Sequence, residues 1–261
     1  MTSTATLESR AFARDGYLVV RGLCPAPLRE QLLALSQAQL NPLLGPVEFE
    51  ADVGYPGSPT SRDAEGGNTP RRQLNAYTRG SIVREWAVGP LVSSQLRQLF
   101  LEMEGQDEVL LSQCHHNCFM TKHPGYSSAT LWHQDIRYWS FDKPALISSW
   151  LALGSENLQN GALKVIPGSH LLDLDRGRLD SALFLRPELP ENQSLLADAV
   201  SVELEPGDVL FFHCRLFHAA GMNLTDEIKH TLVFTYHSAD NQPIPGTRSA
   251  QLPGIPLEAR S

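Results

Sequence analysis

The stretch TLWHQDIRYWSF, Thr130–Phe141, carries the pattern that decides both the fold and the chemistry of this chain. Its β-branched and aromatic residues are typical of a strand, in which side chains at i and i+2 project from the same face. His133 and Asp135 would therefore present an imidazole nitrogen beside a carboxylate oxygen. These are two of the three ligands of a 2-His-1-carboxylate triad, which holds Fe(II) and leaves coordination positions open.

The segment EPGDVLFFHCRLFHAAGMN, residues 205–223, offers two candidates for the second histidine of such a triad. A Gly-Asp turn is followed by an apolar strand, and His213 and His218 come at and after its end. A single histidine after an apolar strand is more often a core residue than a metal ligand. The His133 and Asp135 pair upstream reverses that expectation, and we take His218 as the ligand and His213 as the alternative.

The order of strand-like and helix-like segments predicts the fold. From Glu108 onward, apolar strands follow one another between turns that contain Gly and Pro, with a polar, helix-breaking segment at 173–198. Such a succession is typical of an antiparallel sandwich or jelly roll. Upstream, helical periodicity covers residues 6–14, 28–35 and 81–101. The fold class is therefore predicted to be mostly β with flanking helices, around a jelly-roll core of the double-stranded β-helix type.

The domain organisation follows from the same pattern, since the sequence contains no repeat and no convincing boundary. We predict one domain over residues 1–261. It would consist of a helical scaffold and lid loop at 1–107, a jelly-roll core at 108–240 and a tail at 241–261. The lid would be the Gly- and Pro-rich loop at 41–75, because so long a loop inside a compact domain is often functional. Its polar and aromatic side chains are candidate substrate contacts: Tyr55, Arg71, Arg72, Asn75 and Tyr77.

Composition excludes several classes of function. The net charge of −8 argues against a nucleic-acid surface, which requires clustered Lys and Arg. No apolar run reaches the roughly 18 residues of a transmembrane helix, and the N-terminus has no apolar signal region. The four cysteines fit isolated thiols better than a disulfide framework or a zinc site. We expect a cytoplasmic protein that acts on a small molecule, and the sequence leaves its oligomeric state open.

Three motifs in this order resemble the phytanoyl-CoA dioxygenase family. They are WHQD at 132–135, NGALKVIPGSH at 160–170, and GDVLFFH at 207–213 followed by a second histidine and an asparagine at 218 and 223. The resemblance extends from the Asp15-Gly16-Tyr17 strand to Tyr236. It implies an Fe(II)- and 2-oxoglutarate-dependent dioxygenase that uses O2 to hydroxylate a C–H bond of its substrate and releases succinate and CO2. His133, Asp135 and His218 match the family's iron ligands.

The resemblance also implies residues that hold 2-oxoglutarate. Lys122, in the sequence KHPG, matches a lysine that helps hold the cosubstrate in some relatives, and Trp150 matches a tryptophan that contacts it. One position departs from the family. Members generally carry an arginine eleven residues after the second histidine, where it pairs with the far carboxylate of 2-oxoglutarate. Here that residue is Lys229, which offers a compact charge rather than a planar bidentate fork.

Substrate contacts are predicted from strand periodicity and from the resemblance. Counting by two from Lys122 places His116 on the same strand face, where it could meet the substrate. Trp139 matches a pocket aromatic of the ectoine hydroxylases, and Arg137 would share its face and suit an anionic group. We expect four of the other histidines, His115, His123, His170 and His237, to be structural or surface residues.

Two other readings stay open. One is a catalytically silent member that binds metal without turnover, which Lys229 favours because it replaces the expected arginine. The other is a metal-dependent oxygenase that uses no 2-oxoglutarate. Sites of that kind are usually richer in histidine than the pattern H-x-D with one distal histidine, which argues against this reading.

Overall fold

The computed structural model describes residues 4–258, which form two antiparallel β-sheets flanked by helices. The strands are β1 Tyr17–Val20, β2 Val47–Phe49, β3 Pro70–Leu74, β4 Val109–Lys122, β5 Thr130–His133, β6 Leu146–Ala152, β7 Leu163–Val165, β8 Val200–Ser201, β9 Val209–His213, β10 His218–Ala220, β11 Lys229–Ser238 and β12 Ile255–Pro256. The α-helices are α1 Thr4–Asp15, α2 Ala26–Ala38, α3 Ser81–Val88, α4 Pro90–Glu104 and α5 Pro190–Ala197. The prediction of a mainly β fold with flanking helices is confirmed.

The two sheets differ in size. The large sheet has the order β1-β9-β6-β11-β4-β3-β2, and β12 also pairs with β4. The small sheet has the order β5-β10-β7-β8. Every strand pair is antiparallel, as the succession of strands without long crossovers predicted.

The central strands of the large sheet are buried on both faces, and their side chains alternate between two cores. On β11, Leu232 and Phe234 pack in a core with α3 and α4, whereas Val233 packs against the small sheet. On β9, Phe211 and Phe212 divide in the same way. This period of two fixes which side chains point between the sheets. Residues of β11 in step with Val233 therefore face the small sheet.

Four elements lie where the sequence predicted none. The loop predicted at 41–75 contains β2 and β3, and the predicted tail contributes β12. The segment 173–198, interpreted as helix-breaking, contains α5. The sequence PRRQL of β3 has no apolar alternation, and it is a strand because its backbone pairs with the edge of β4.

The division into scaffold, core and tail stays a prediction. Residues 1–3 of the predicted scaffold and 259–261 of the predicted tail lie outside the described residues. Within residues 4–258, no helix combines the length and the apolar character needed to cross a membrane.

Candidate metal centre and cavity

The two predicted histidine ligands are partners across a strand pair. His133 is the last residue of β5 and His218 the first of β10, and their Cα atoms lie opposite each other in the antiparallel register. Directly opposite residues on one face of such a pair have their side chains close together. The two imidazole ring centroids are 4.3 Å apart.

Asp135 reaches the same point by a different route from the one the sequence predicted. Strand β5 ends at His133, and Asp135–Tyr138 form a short 3-10 helix rather than a continuation of the strand. This turn still directs the carboxylate to the histidines. Its Oδ1 lies 3.6 Å from the Nε2 of His133 and 3.7 Å from the Nε2 of His218. One ligand atom from each of the three residues lies within 4.8 Å of the others.

Hydrogen bonds to the backbone fix both imidazole rings. The Nδ1 of His133 lies 2.8 Å from the carbonyl oxygen of Leu131, and the Nδ1 of His218 lies 3.0 Å from that of Leu216. Each carbonyl can only accept, so each Nδ1 carries the proton and each Nε2 keeps a free lone pair. Burial lowers the pKa of His218 to about 4, with a further contribution from His133. The ring is therefore neutral at pH 7, as metal ligation requires.

The carboxylate of Asp135 is buried and incompletely paired. Its Oδ2 has no hydrogen-bond partner, although the residue is only 1% exposed. Burial opposes the charged form, but His116 and His218 nevertheless hold the pKa of this carboxyl below its usual range. An orphaned buried anion beside two free imidazole nitrogens fits a divalent cation. Two imidazoles and one carboxylate are the donor set of non-haem Fe(II) sites.

His213, the alternative ligand, points elsewhere. Its Nδ1 accepts a hydrogen bond from the backbone N–H of Arg215 at 3.1 Å, and its ring packs 5.2 Å from that of His170. Among the described residues, the cluster that could hold a metal contains His218 and not His213.

A cavity of about 350 Å³ opens beside the three residues. The predicted cosubstrate residues Lys122, Trp150 and Lys229 all line it, and so do the predicted substrate residues His116 and Trp139. The cavity has a buried end, where these lysines are 8% and 5% exposed. Its other end opens at Asn75 and Arg248, which are exposed.

The two lysines occupy opposite positions on neighbouring strands but have different partners. Lys229 on β11 lies directly across from Lys122 on β4. The Nζ of Lys229 forms a 2.9 Å ion pair with Glu156 and donates to the carbonyl of Gly161 at 3.0 Å. Within residues 4–258, the Nζ of Lys122 donates only to the backbone carbonyls of Ser128 and Gly221, at 2.8 and 2.6 Å. Burial lowers the pKa of Lys122 to about 7, with the neighbouring charge of Lys229 as the next cause.

Glu156 is a member of this site that the sequence did not reveal. It lies 73 residues from Lys229 in the chain, and no short motif connects the two. Only the fold brings them together. The sequence shows only an acidic residue four positions after the apolar strand β6, and this alone does not indicate a partner.

The predicted substrate contacts have different environments. His116 lies 3.7 Å from the Oδ2 of Asp135 through its Nδ1, and the ring of Trp139 packs 5.4 Å from that of His116. Arg137 is not among the residues that line the cavity. Its guanidinium stacks on the rings of Phe184 and Tyr138, at 3.9 and 4.6 Å from their centroids. The predicted shared face of Arg137 and Trp139 is lost because this segment turns into the 3-10 helix.

Several residues that line the cavity come from the predicted lid loop and from the predicted tail. The predicted lid loop contributes Tyr55, Arg71, Arg72 and Asn75, whereas Tyr77 packs against the core on the helical side. The hydroxyl groups of Tyr55 and Tyr138 lie 3.0 Å apart, which ties this loop to the 3-10 helix. His115 also lines the cavity, although we expected a structural residue, and Arg248 reaches it from the predicted tail.

A double-sheet fold with a buried His-Asp-His triad beside a cavity defines the class of non-haem metal oxygenases. The family model described as phytanoyl-CoA dioxygenase (PhyH) matches residues 12–231. The chain belongs to the phytanoyl-CoA dioxygenase family, and the prediction of its family is confirmed.

Curated relatives match the chain to different extents. Ectoine dioxygenase of Sphingopyxis alaskensis is 26% identical over 263 residues, which cover 92% of this chain and 79% of the relative. Phytanoyl-CoA dioxygenase 1 of Oryza sativa subsp. japonica is 31% identical over 114 residues, or 44% of this chain. That match spans only 41% of the rice protein, about two fifths of its length.

Solved structures share the fold at low sequence identity. The epimerase SnoN, crystallised with Fe³⁺, alpha-ketoglutarate and a nogalamycin compound, has a TM-score of 0.70 and 22% identity, with 98% of this chain and 96% of that chain covered. EctD from S. alaskensis, with 2-oxoglutarate and 5-hydroxyectoine, has a TM-score of 0.70 and 20% identity, with 98% and 85% covered. Identities this low support the jelly-roll fold and leave the reaction of this chain to its own residues.

Proposed function

We propose that this protein is a non-haem Fe(II)- and 2-oxoglutarate-dependent dioxygenase that hydroxylates a C–H bond of a small molecule. The observation that carries the proposal is the buried triad, in which two Nε2 atoms and an orphaned carboxylate oxygen converge. His133, Asp135 and His218 would hold the metal as its three protein ligands. Bound Fe(II), with 2-oxoglutarate and O2, would supply the oxidising chemistry, with succinate and CO2 as co-products.

The buried end of the cavity would receive the cosubstrate. Lys122 and Lys229 supply positive charge there, and the ring of Trp150 lies 5.3 Å from the Nζ of Lys229. A dicarboxylate keto acid needs a cation at one end and a metal at the other. The cavity would provide both, because the two lysines lie on the large sheet and the two histidines of the triad lie on the small sheet.

The outer part of the cavity would bind the substrate. His116 and Trp139 lie beside Asp135 and could position the reacting C–H bond near the metal. The Tyr55–Tyr138 contact and the buried ring of Trp139 would limit access of water. Arg137 would act indirectly, by holding Phe184 and Tyr138, whose rings lie 5.8 and 6.1 Å from that of His133.

The relatives do not fix the reaction outcome or the substrate. The similar proteins include an ectoine dioxygenase, an epimerase and a carbocyclase. We propose hydroxylation because the three ligands and an open cavity are sufficient for it. The cavity volume supports a small-molecule substrate.

Anaerobic titration of the purified protein with Fe(II) and 2-oxoglutarate tests this function. Bidentate chelation of the keto acid should produce a visible charge-transfer band in the wild type that is absent in His133→Ala. His213→Gln is the matched control, because His213 is a buried histidine whose ring contacts no member of the triad through a hydrogen bond. Admission of O2 should then release succinate. Iron binding without a band or succinate would contradict the proposal.

A second candidate is a metal-dependent oxygenase that uses no 2-oxoglutarate. The ion pair between Lys229 and Glu156 favours it, since a paired lysine is less available to an incoming carboxylate. The same titration separates the two candidates. The second requires that O2 is consumed with bound Fe(II) and substrate while 2-oxoglutarate has no effect on the spectrum or the rate.

A further inference from the structure

Glu156 is the centre of a hydrogen-bonded cluster behind the cavity wall. Its carboxylate is fully buried, at 1% residue exposure. It accepts from the Nζ of Lys229 at 2.9 Å, from the Oγ1 of Thr231 at 2.6 Å and from the indole Nε1 of Trp150 at 3.0 and 3.1 Å. All three donors line the cavity, whereas Glu156 does not. One carboxylate therefore holds three residues of the wall from outside the cavity.

Of the cations that line the cavity and are not exposed, one has no carboxylate partner. Arg71 pairs with Glu50 at 3.3 Å, Arg72 pairs with Glu48 at 3.2 Å and Lys229 pairs with Glu156. Lys122 forms no ion pair within the described part of the chain, and its two hydrogen bonds go to neutral carbonyls.

The local packing keeps the two lysines in these separate roles. Gly161, whose carbonyl accepts from Lys229, has a φ of +77°. A Cβ at this position would lie 3.0 Å from the Cδ of Lys122 and 2.6 Å from the carbonyl oxygen of Gly221. The side chain of Lys122 thus passes against the backbone that holds Lys229. Neither ammonium group can exchange partners without movement of this turn.

We infer that Glu156 determines the cosubstrate selectivity of the cavity by neutralising Lys229, which leaves Lys122 as the single cation for the far carboxylate of a keto acid. This inference rests on the proposed function and assigns a role within it. Glu156 is a positioning residue, since it acts through Lys229 and touches no part of the cavity. The buried end then has one ammonium group without a counter-charge. A bound carboxylate would favour the charged form of this lysine, whose pKa burial lowers to about 7.

The test measures keto-acid affinity by the anaerobic charge-transfer titration and by calorimetry, with Fe(II) bound to the full chain. The two probes are 2-oxoglutarate and 2-oxopentanoate, which has the same carbon chain but no far carboxylate. Lys122→Met should weaken 2-oxoglutarate binding about 100-fold and change 2-oxopentanoate binding by less than about threefold. Circular dichroism and thermal unfolding show whether each variant is folded.

The decisive variant is Glu156→Gln, which removes the charge but keeps one acceptor oxygen for Lys229 and Trp150, while its amide N–H can donate to the hydroxyl of Thr231. It should bind 2-oxoglutarate about tenfold more tightly than the wild type, since the charge of Lys229 becomes available. Its affinity for 2-oxopentanoate should stay the same. Adding Lys229→Met to Glu156→Gln should cancel the gain, because the second cation is then removed.

The outcomes distinguish this inference from the proposed function. If the wild type binds 2-oxoglutarate but folded Glu156→Gln shows no tighter binding, the role of Glu156 is wrong and the dioxygenase proposal stands. If the wild type binds no keto acid and Glu156→Gln does, Glu156 controls the charge of Lys229, but the role of Lys122 and the proposed 2-oxoglutarate dependence of the wild type are wrong. If neither protein binds 2-oxoglutarate while Fe(II) is bound, both proposals fail.

Discussion

Two buried carboxylates of this protein, Asp135 and Glu156, are each surrounded by nitrogen atoms at very different distances. Around Glu156 the nearest nitrogen and hydroxyl donors lie 2.6–3.1 Å away and form hydrogen bonds. Around Asp135 the nearest imidazole nitrogens lie 3.6–3.7 Å away, and one carboxylate oxygen has no partner. The hydrogen bonds of Glu156 satisfy its carboxylate, whereas the spacing around Asp135 is that of a ligand set for a cation.

The difference shows how a binding site can be told from a structural charge cluster. A buried anion is expensive unless it is paired, so a folded protein satisfies it unless a ligand will. Glu156 is satisfied by the protein itself. Asp135 lies beside His133 and His218, whose backbone hydrogen bonds direct their Nε2 atoms toward the carboxylate without forming a hydrogen bond to it. This is the geometry of a metal centre.

Removal of Glu156 should have the largest effect on stability. Glu156→Ala leaves Lys229 buried without its counter-charge, and the free energy of unfolding should fall by about 3–5 kcal/mol. Urea unfolding of the metal-free protein measures it. Glu188→Ala is the control, because Glu188 is an exposed residue paired with Arg186 and should change little. Equal effects of the two substitutions would contradict the structural reading of the cluster.

Removal of Asp135 should mainly affect metal binding. Asp135→Ala deletes the only anion of the triad, so the affinity for Fe(II) should fall at least about 100-fold. This loss is as large as, or larger than, the loss expected for a residue that only supports a metal ligand. Anaerobic titration with Fe(II) measures this loss. The matched His213→Gln variant should retain the wild-type affinity. An Asp135→Ala protein that binds Fe(II) normally would show that the triad is not the metal site.

His213, which lies outside the triad, should affect the pH dependence of the free energy of unfolding. Burial lowers the pKa of His213 to about 3, below the ordinary value of 6.5. As the pH falls below 6.5, the unfolded chain binds a proton at this histidine while the folded protein keeps the ring neutral. The free energy of unfolding is therefore highest above pH 6.5 and decreases as the pH falls. The loss should be about 2 kcal/mol between pH 6.5 and pH 5. His213→Gln should flatten the urea-unfolding profile over this window, and an unchanged slope would contradict the assignment.

Arg137 should give the smallest effect, because its guanidinium stacks on two rings and does not line the cavity. Arg137→Gln should lower the free energy of unfolding by about 1 kcal/mol or less and leave 2-oxoglutarate affinity within about threefold. Parallel unfolding and charge-transfer titrations measure both. A large loss of affinity would show that Arg137 reaches the bound ligand.

Much of this architecture was predictable because it follows local rules. The apolar runs that contain Phe211, Phe212 and Val233 predict strands directly, and the period of two within a strand then divides their side chains between the two cores. His133, Asp135 and His218 were predictable from spacing and from the family motifs. The strand predicted through Asp135 ends two residues early, but the 3-10 turn brings the carboxylate to the same place.

The missed features depend on contacts distant in sequence. Strand β3 forms because β4 offers a free edge, and Ile255–Pro256 pair with β4 for the same reason. No local propensity of PRRQL indicates this. The pairing of Glu156 with Lys229 likewise exists only once β6 and β11 lie side by side, so a motif could suggest the lysine but not its partner.

The hydrogen bonds from the rings of His133 and His218 to backbone carbonyls have a consequence for how the protein acquires its metal. Because each ring is aimed by a carbonyl two residues upstream, the centre is shaped before any ion arrives. We therefore expect the chain to fold without iron and to acquire its metal late, as a loading step. A preformed pocket of this kind also accepts other divalent ions that bind the same donors more tightly. Which metal the protein carries would then depend on the supply in its surroundings rather than on discrimination by the fold.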